Sequence, residues 1–421
     1  MTIPIDRIES LVKDAVFGAD EKARETGRRS IVESAAGSGV FPASIQGLYE
    51  AAGRGLYTGV TVPAINIRGL TYHVARAVFR AAVKERVGAF IFEIARSEIG
   101  YTKQSPAEYA ACILAAAMRE GFEGPVFLQG DHFQVNRRRF TADPDKELEA
   151  IKALIREAVV AGIYNIDIDA STLVDLERGS LSQQQEDNYR ITAEMTEFIR
   201  SLEPEGVTVS IGGEIGEVGR ANSTVEDLEV FMKGYLGLLG DGVKGISKIS
   251  VQTGTTHGGV VLPDGSIADV KLDFETLRQL SRVAREKYGM AGAVQHGAST
   301  LPDEAFDRFP QVGAAEIHLA TGFQNLIYDS PDFPKQLLDE IYTHLLRNYG
   351  DERKEKDTED QFLYKTRKKA FGDFKREIWS LPEDSLARIG STLEERFSML
   401  FHKLNVTGTV DLVEEFVVVS R

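Results

Sequence analysis

Three of the seven histidines in this chain sit at the ends of apolar runs that suit strands. They are His132 in Gln129-Gly130-Asp131-His132, His257 in Thr256-His257-Gly258-Gly259, and His296 in Gln295-His296-Gly297-Ala298-Ser299. Three neutral imidazoles with one coordination position left open describe a catalytic zinc centre, in which the metal acts as a Lewis acid on a bound oxygen. Asp131, adjacent to the first of them, offers a carboxylate for proton transfer beside that metal. An Asp-His pair alone is usually a loop ion pair, and a lone histidine usually a hydrogen-bonded residue. Their shared placement at strand ends is what favours a site. Asp169, Ser171 and Glu214 close two further runs. Of the other histidines, His73, His344 and His402 lie in helical patterns and read as structural, whereas His318 lies on an apolar run and is a candidate to face the site.

Glycine and hydroxyl residues surround the later histidines: Gly258 and Gly259, then Gly297 and Ser299, then Thr321-Gly322 after the final run. Glycine lets backbone N–H groups converge on an oxyanion. Each of these glycines alone could mark an ordinary tight turn, but beside a metal site phosphate binding is the favoured reading.

These residues need elements to present them. Strand-like runs fall at residues 59–66, 87–95, 126–130, 164–169, 207–214, 246–251, 291–295 and 315–319. Helix-patterned segments lie between most of them, including residues 72–85, 106–120, 146–161, 187–202 and 274–288. Strands alternating with helices of that length pair in parallel through helical crossovers. Eight such units predict an α/β fold, a (β/α)8 TIM barrel, whose chemistry belongs at the carboxyl ends of the strands, where the reactive residues fall. An open doubly wound sheet is the alternative, but no Gly-x-Gly-x-x-Gly follows the first run. The expected organisation is an N-terminal helical extension over residues 1–55, a catalytic barrel over 56–328 and a C-terminal helical extension over 329–421, whose charged run at 351–360 reads as a solvated face.

Composition narrows the function. A formal net charge of -15 over 421 residues disfavours nucleic acid or an anionic membrane as the main partner. The single cysteine, Cys112, lies in a helix-like run, so an intrachain disulfide is impossible and any zinc site must rely on histidine and carboxylate. The amino terminus has neither the basic start nor the apolar core of a signal peptide, and no apolar window reaches membrane-spanning length. A cytoplasmic location is expected.

Taken together, Asp131-His132, Thr256-His257-Gly258 and His296-Gly297-Ala298-Ser299, with Ile166-Asp167-Ile168-Asp169-Ala170-Ser171, Gly213-Glu214-Ile215-Gly216 and Pro63-Ala64-Ile65-Asn66, resemble the ordered signature of class II, metal-dependent fructose/tagatose-bisphosphate aldolases. The resemblance runs from about Gly59 to Asn325. It implies reversible aldol cleavage of a ketose bisphosphate to dihydroxyacetone phosphate and an aldehyde through a metal-stabilised enediolate. It also implies that His132, His257 and His296 hold zinc or another divalent metal, with Glu214 close to it, and that a monovalent cation binds near the phosphate loops. Asp131 would exchange a proton with the hydroxyl that becomes the aldehyde. Asn66, Gly258, Gly297, Ser299, His318 and Thr321 would contact the substrate and its phosphate. The expected partner is a small sugar phosphate, within a homodimer or homotetramer.

Departures from the pattern are specific. His318-Leu319-Ala320-Thr321 stands where Asn-x-Asp-Thr is usual, and Gly212 replaces the first glutamate of Glu-x-Glu-x-Gly. In the loop after the fifth run, Glu217 is the nearest candidate to move the donor proton. Two alternatives therefore stand beside the enzyme: a noncatalytic accessory subunit of a tagatose-bisphosphate aldolase, for which three converging histidines would be unnecessary, and a related zinc-dependent lyase for a different sugar.

Overall fold

The computed structural model describes residues 4–216, 221–254, 262 and 272–417. Among the described residues, nine strands form one parallel sheet: β1 (Val40–Ala43), β2 (Val62–Asn66), β3 (Ile91–Ala95), β4 (Gly124–Gln134), β5 (Asn165–Asp169), β6 (Ser210–Glu214), β7 (Lys248–Val251), β8 (Ala293–Gln295) and β9 (Glu316–Leu319). Strands β2 to β9 pair in sequence order, and β9 returns to β2 with His318 opposite Ala64. That closure makes a (β/α)8 barrel and excludes the open sheet. The strands read as continuous apolar runs because helices cover the sheet outside and side chains fill it inside, so every residue of β2, β3 and β5 is buried.

One expectation is corrected. The section up to residue 53, read as helical, contains β1, which pairs with the amino-terminal half of β4 outside the closed ring, Val40 opposite Gly124. The run is four residues long and includes Pro42, which disguises it; Pro is tolerated here because β1 is an edge strand. Around it lie the expected helices. Ile5–Phe17 and Glu21–Gly37, the latter capped by Asp20 accepting from the Ala23 amide, pack over Pro106–Arg119. That helix is apolar nearly all round because it is covered on both sides, and Cys112 is wholly buried within it. Burial raises the Cys112 thiol far above its ordinary range and keeps it unreactive.

Flanking segments reach both ends of the barrel. Helix Gln46–Gly53 brings Tyr49 under the amino-terminal end, where its hydroxyl donates to Glu316. Beyond the last strand, helix Glu383–Lys403 packs on Thr71–Glu85, and the turn Arg367–Lys369 reaches the carboxyl-terminal mouth. None of the described helices is long and apolar enough to cross a membrane.

Candidate metal centre and active site

Asp131 and His132 are consecutive in β4, so in a regular strand their side chains would point to opposite faces. Here the ladder to β5 slips: Gly130 faces Ile166 but Phe133 faces Ile168, leaving two residues of β4 opposite one of β5. This bulge turns both side chains toward the barrel mouth. His132 has φ +41°, a left-handed conformation that a non-glycine residue adopts only when its surroundings enforce it.

His132 is held from one side. Its Nδ1 lies 3.0 Å from Asp169 Oδ2 and 3.2 Å from Glu214 Oε2. Asp169 is itself fixed by the Ser171 hydroxyl at 2.6 Å and the Gln134 amide at 2.5 Å. The other ring nitrogen, Nε2, faces His296 Nδ1 at 3.1 Å, while Nε2 of His296 lies 3.0 Å from the Ser250 hydroxyl. Two imidazole nitrogens thus converge while their opposite nitrogens are engaged by carboxylate or hydroxyl, the arrangement that orients metal-binding histidines. Asp131, His132 and His296 each offer a ligand atom within 4.8 Å of the others.

The charges follow from this packing. Burial opposes protonation of His132, but Asp131, Glu214 and Asp169 outweigh it and hold the imidazole well above its ordinary range. Burial, with the Asp169 charge, pushes Glu214 up to about 7. Burial also acts on Asp169, yet the hydrogen bonds from His132, Ser171 and Gln134 win and hold it below the usual carboxylate range. A cluster with an excess of carboxylate over cation, around two converging imidazoles, fits a divalent cation.

These residues open on a cavity of about 290 Å³. Eight of the residues singled out in the sequence line it: Asn66, Asp131, His132, His296, Gly297, Ser299, His318 and Thr321. Gly297 adopts φ +69° at the turn below Ala298–Thr300, a conformation suited to glycine. Glu214 stands behind His132, on the nitrogen turned away from His296. Glu217, His257 and Gly258 lie outside the described residues.

Several residues in and around the cavity were not anticipated. Arg68, just past β2, bonds Glu98 through Nε at 2.7 Å and reaches Thr321 and Gln324 through its other arm at 3.2 and 3.1 Å. Asn66 shares Glu98, its amide 2.7 Å from Oε2. Lys368, from the C-terminal extension, lies over the Tyr101 ring at 5.5 Å, and burial together with the nearby Arg68 lowers its proton affinity. Arg68 and Lys368 thus place two cations on one wall of the cavity, with Glu98 pairing the first. Toward the barrel interior, burial and the Asp131 charge push Glu93 up to about 8, and burial pushes Asp167 up to about 6 against the pull of Lys248. The detectable sequence signal for Glu93, Lys248 and Glu316 was a charge inside an otherwise apolar strand; Lys368 carried no such signal.

A family model described as fructose-bisphosphate aldolase class-II matches residues 45–376. No curated protein matches the chain by sequence. Similar solved structures include a fructose-bisphosphate aldolase from Campylobacter jejuni, 18% identical, covering 87% of this chain and 97% of that one with a TM-score of 0.51. Another is the fructuronate-tagaturonate epimerase UxaE from Cohnella laeviribosi, 12% identical, covering 96% and 90% with a TM-score of 0.55. Likeness at that identity establishes the fold and leaves chemistry to the site. The family match spans the whole barrel and every residue singled out above, so this chain belongs to the class II fructose-bisphosphate aldolase family.

Proposed function

We propose that the chain is a metal-dependent carbon–carbon lyase that reversibly cleaves a ketose carrying a terminal anionic group. Fructose 1,6-bisphosphate and tagatose 1,6-bisphosphate are the first substrates to try, with dihydroxyacetone phosphate and an aldehyde as products. The observation that carries this reading is the convergence of His132 Nε2 and His296 Nδ1 at 3.1 Å on the wall of the cavity that Asp131 also lines. His132 and His296 are the proposed ligands of zinc or another divalent cation, with His257 completing the set and Glu214 and Asp169 holding His132. That cation would supply Lewis acidity toward the substrate's carbonyl and hydroxyl oxygens.

The chain's own residues supply the rest. Asp131 accepts the proton of the hydroxyl that becomes the aldehyde and returns it in condensation. Glu217 is the proposed donor-proton residue. Gly258, Gly297, Ser299 and Thr321 are proposed to hold the donor phosphate, aided by a monovalent cation, and Asn66 and His318 to contact the substrate. Arg68 and Lys368 favour an anion at the far end of the substrate. The catalytic unit is proposed to be residues 56–328, with 1–55 and 329–421 as extensions, in a cytoplasmic homodimer or homotetramer.

A coupled assay for dihydroxyacetone phosphate release from both bisphosphates, with and without EDTA, tests the reading. EDTA-sensitive release supports it. Release only after a second subunit is added points to an accessory role instead. His318 in place of the usual amide favours a second reading, the same cleavage of a different anionic sugar, which the same assay separates by its product.

A further inference from the structure

We infer that Lys248, Glu316 and His318 form a buried ladder of charges that positions Asp131, and that Gly212 is the opening in the barrel wall that admits it. This rests on the reading of Asp131 as the proton-transfer residue. The interior of a (β/α)8 barrel is ordinarily filled by branched apolar side chains in layers. Beneath this cavity, buried Gln129 on β4, Asp167 on β5, Lys248 on β7 and Glu316 on β9 take their place.

Their connections run in one direction. Lys248 Nζ donates to Gln129 Oε1 at 2.7 Å, to Asp167 Oδ2 at 3.1 Å and to Glu316 Oε1 at 2.6 Å. The same Glu316 oxygen is 2.6 Å from His318 Nε2. The other nitrogen of His318, Nδ1, lies 2.9 Å from Glu93 Oε2 and 3.3 Å from Asp131 Oδ1. An ammonium deep in the barrel is thereby connected, through one carboxylate and one imidazole, to the carboxylate at the mouth.

Gly212 supplies the room. On β6 it pairs with Asp167 on one side and Lys248 on the other. A Cβ there would stand 2.2 Å from Asp167 Oδ1 and 2.9 Å from Lys248 Cε. The ion pair therefore crosses a strand that carries no side chain at that level. An apolar layer would pack this space at least as stably, because buried ions lose their hydration. What the ladder adds is orientation: Lys248 is fixed by three hydrogen bonds, and His318 is held by charge between Glu316 on one side and Glu93 and Asp131 on the other. Gly212 and His318, two of the departures from the aldolase pattern, lie at either end of this one unit.

Glu316 and Lys248 are positioning residues, acting on Asp131 through His318. The isosteric substitution Glu316→Gln is expected to lower kcat at least tenfold with KM within twofold and metal content unchanged. His318→Asn should also lower kcat at least tenfold with metal content unchanged, with a rise in KM besides because His318 is itself a proposed substrate contact. The E316Q/H318N double variant should lower kcat no further than the more impaired single variant, because both act along one path. Additive losses in kcat, or none, overturn the proposal. Should E316Q not fold, K248M/E316Q removes both charges together and should show the same kcat loss. A crystal structure of whichever variant folds decides the case independently of any substrate: the His318 ring and Asp131 carboxylate should leave their wild-type positions, and unmoved side chains overturn the ladder. A wild-type chain inactive on every ketose tried, with Asp131 displaced in the variant, would sink the aldolase reading and leave the ladder standing.

Discussion

His132 Nδ1 sits 3.0 Å from Asp169 Oδ2, and that contact decides which face of the imidazole is left for a metal. Held there, the ring turns Nε2 toward His296 and the cavity. Removing the carboxylate should loosen the ring without removing a ligand. Asp169→Asn is therefore expected to weaken metal affinity by about 10–100-fold, in the range for such supporting groups. His132→Ala should abolish stoichiometric binding. Elemental analysis of dialysed protein, with competition against a chelator, measures both; a wild type that retains no metal contradicts the centre.

Asp131 should separate from the metal ligands in the same experiment. Asp131→Ala should keep its metal yet lose turnover by about 10²-fold or more, the usual scale for a proton-transfer group. Undiminished turnover would remove Asp131 from that role.

Lys368 tests the anion wall. It comes from the C-terminal extension and lies over Tyr101 beside Arg68. Lys368→Met should raise KM for a phosphorylated ketose by about tenfold or more, since a hydrogen bond to a charged group is worth roughly 1.5–3 kcal/mol. Turnover at saturation should change little. Steady-state kinetics with phosphorylated and unphosphorylated ketoses measures this, and equal effects on both would count against an anion receptor.

Gly212→Ala is expected to destabilise the fold by about 1–3 kcal/mol, the usual cost of overpacking a filled core. Its Cβ would meet the Asp167 carboxylate and the Lys248 stem. Chemical denaturation of the variant against wild type gives the value. A neutral result would mean that the two side chains can move apart.

His73 should make the fold acid-labile. It packs between the rings of Tyr72 and Trp379, joining helix Thr71–Glu85 to the C-terminal extension. Burial and the Arg76 charge push it down to about 4. The native state therefore binds fewer protons than the unfolded chain between the ordinary histidine range and about pH 4. Stability from this group is present above pH 6.5 and falls as pH drops toward 4. His73→Phe keeps an aromatic ring and should flatten that part of the slope in urea titrations at stepped pH; an unchanged slope would assign the acid lability elsewhere.

Much of the architecture was legible because it is written in local patterns. Alternating apolar runs and helix-period segments specify eight βα units, and the closure of β9 on β2 follows from that count. The strand-end positions of Asp131, His132 and His296 were equally plain, because a barrel presents strand ends at one mouth. β1 escaped notice because four residues containing a proline carry no periodicity. What only the tertiary structure decided depends on register and on long-range contact. The bulge after Gly130 turns two consecutive side chains the same way, and no sequence period encodes it. Lys368 reaches the cavity only through the path of the C-terminal extension, far from the barrel in sequence. Glu93, Lys248 and Glu316 look like interruptions of apolar strands until closure of the barrel sets them facing one another, because buried charges are tolerated only where folding provides their partners.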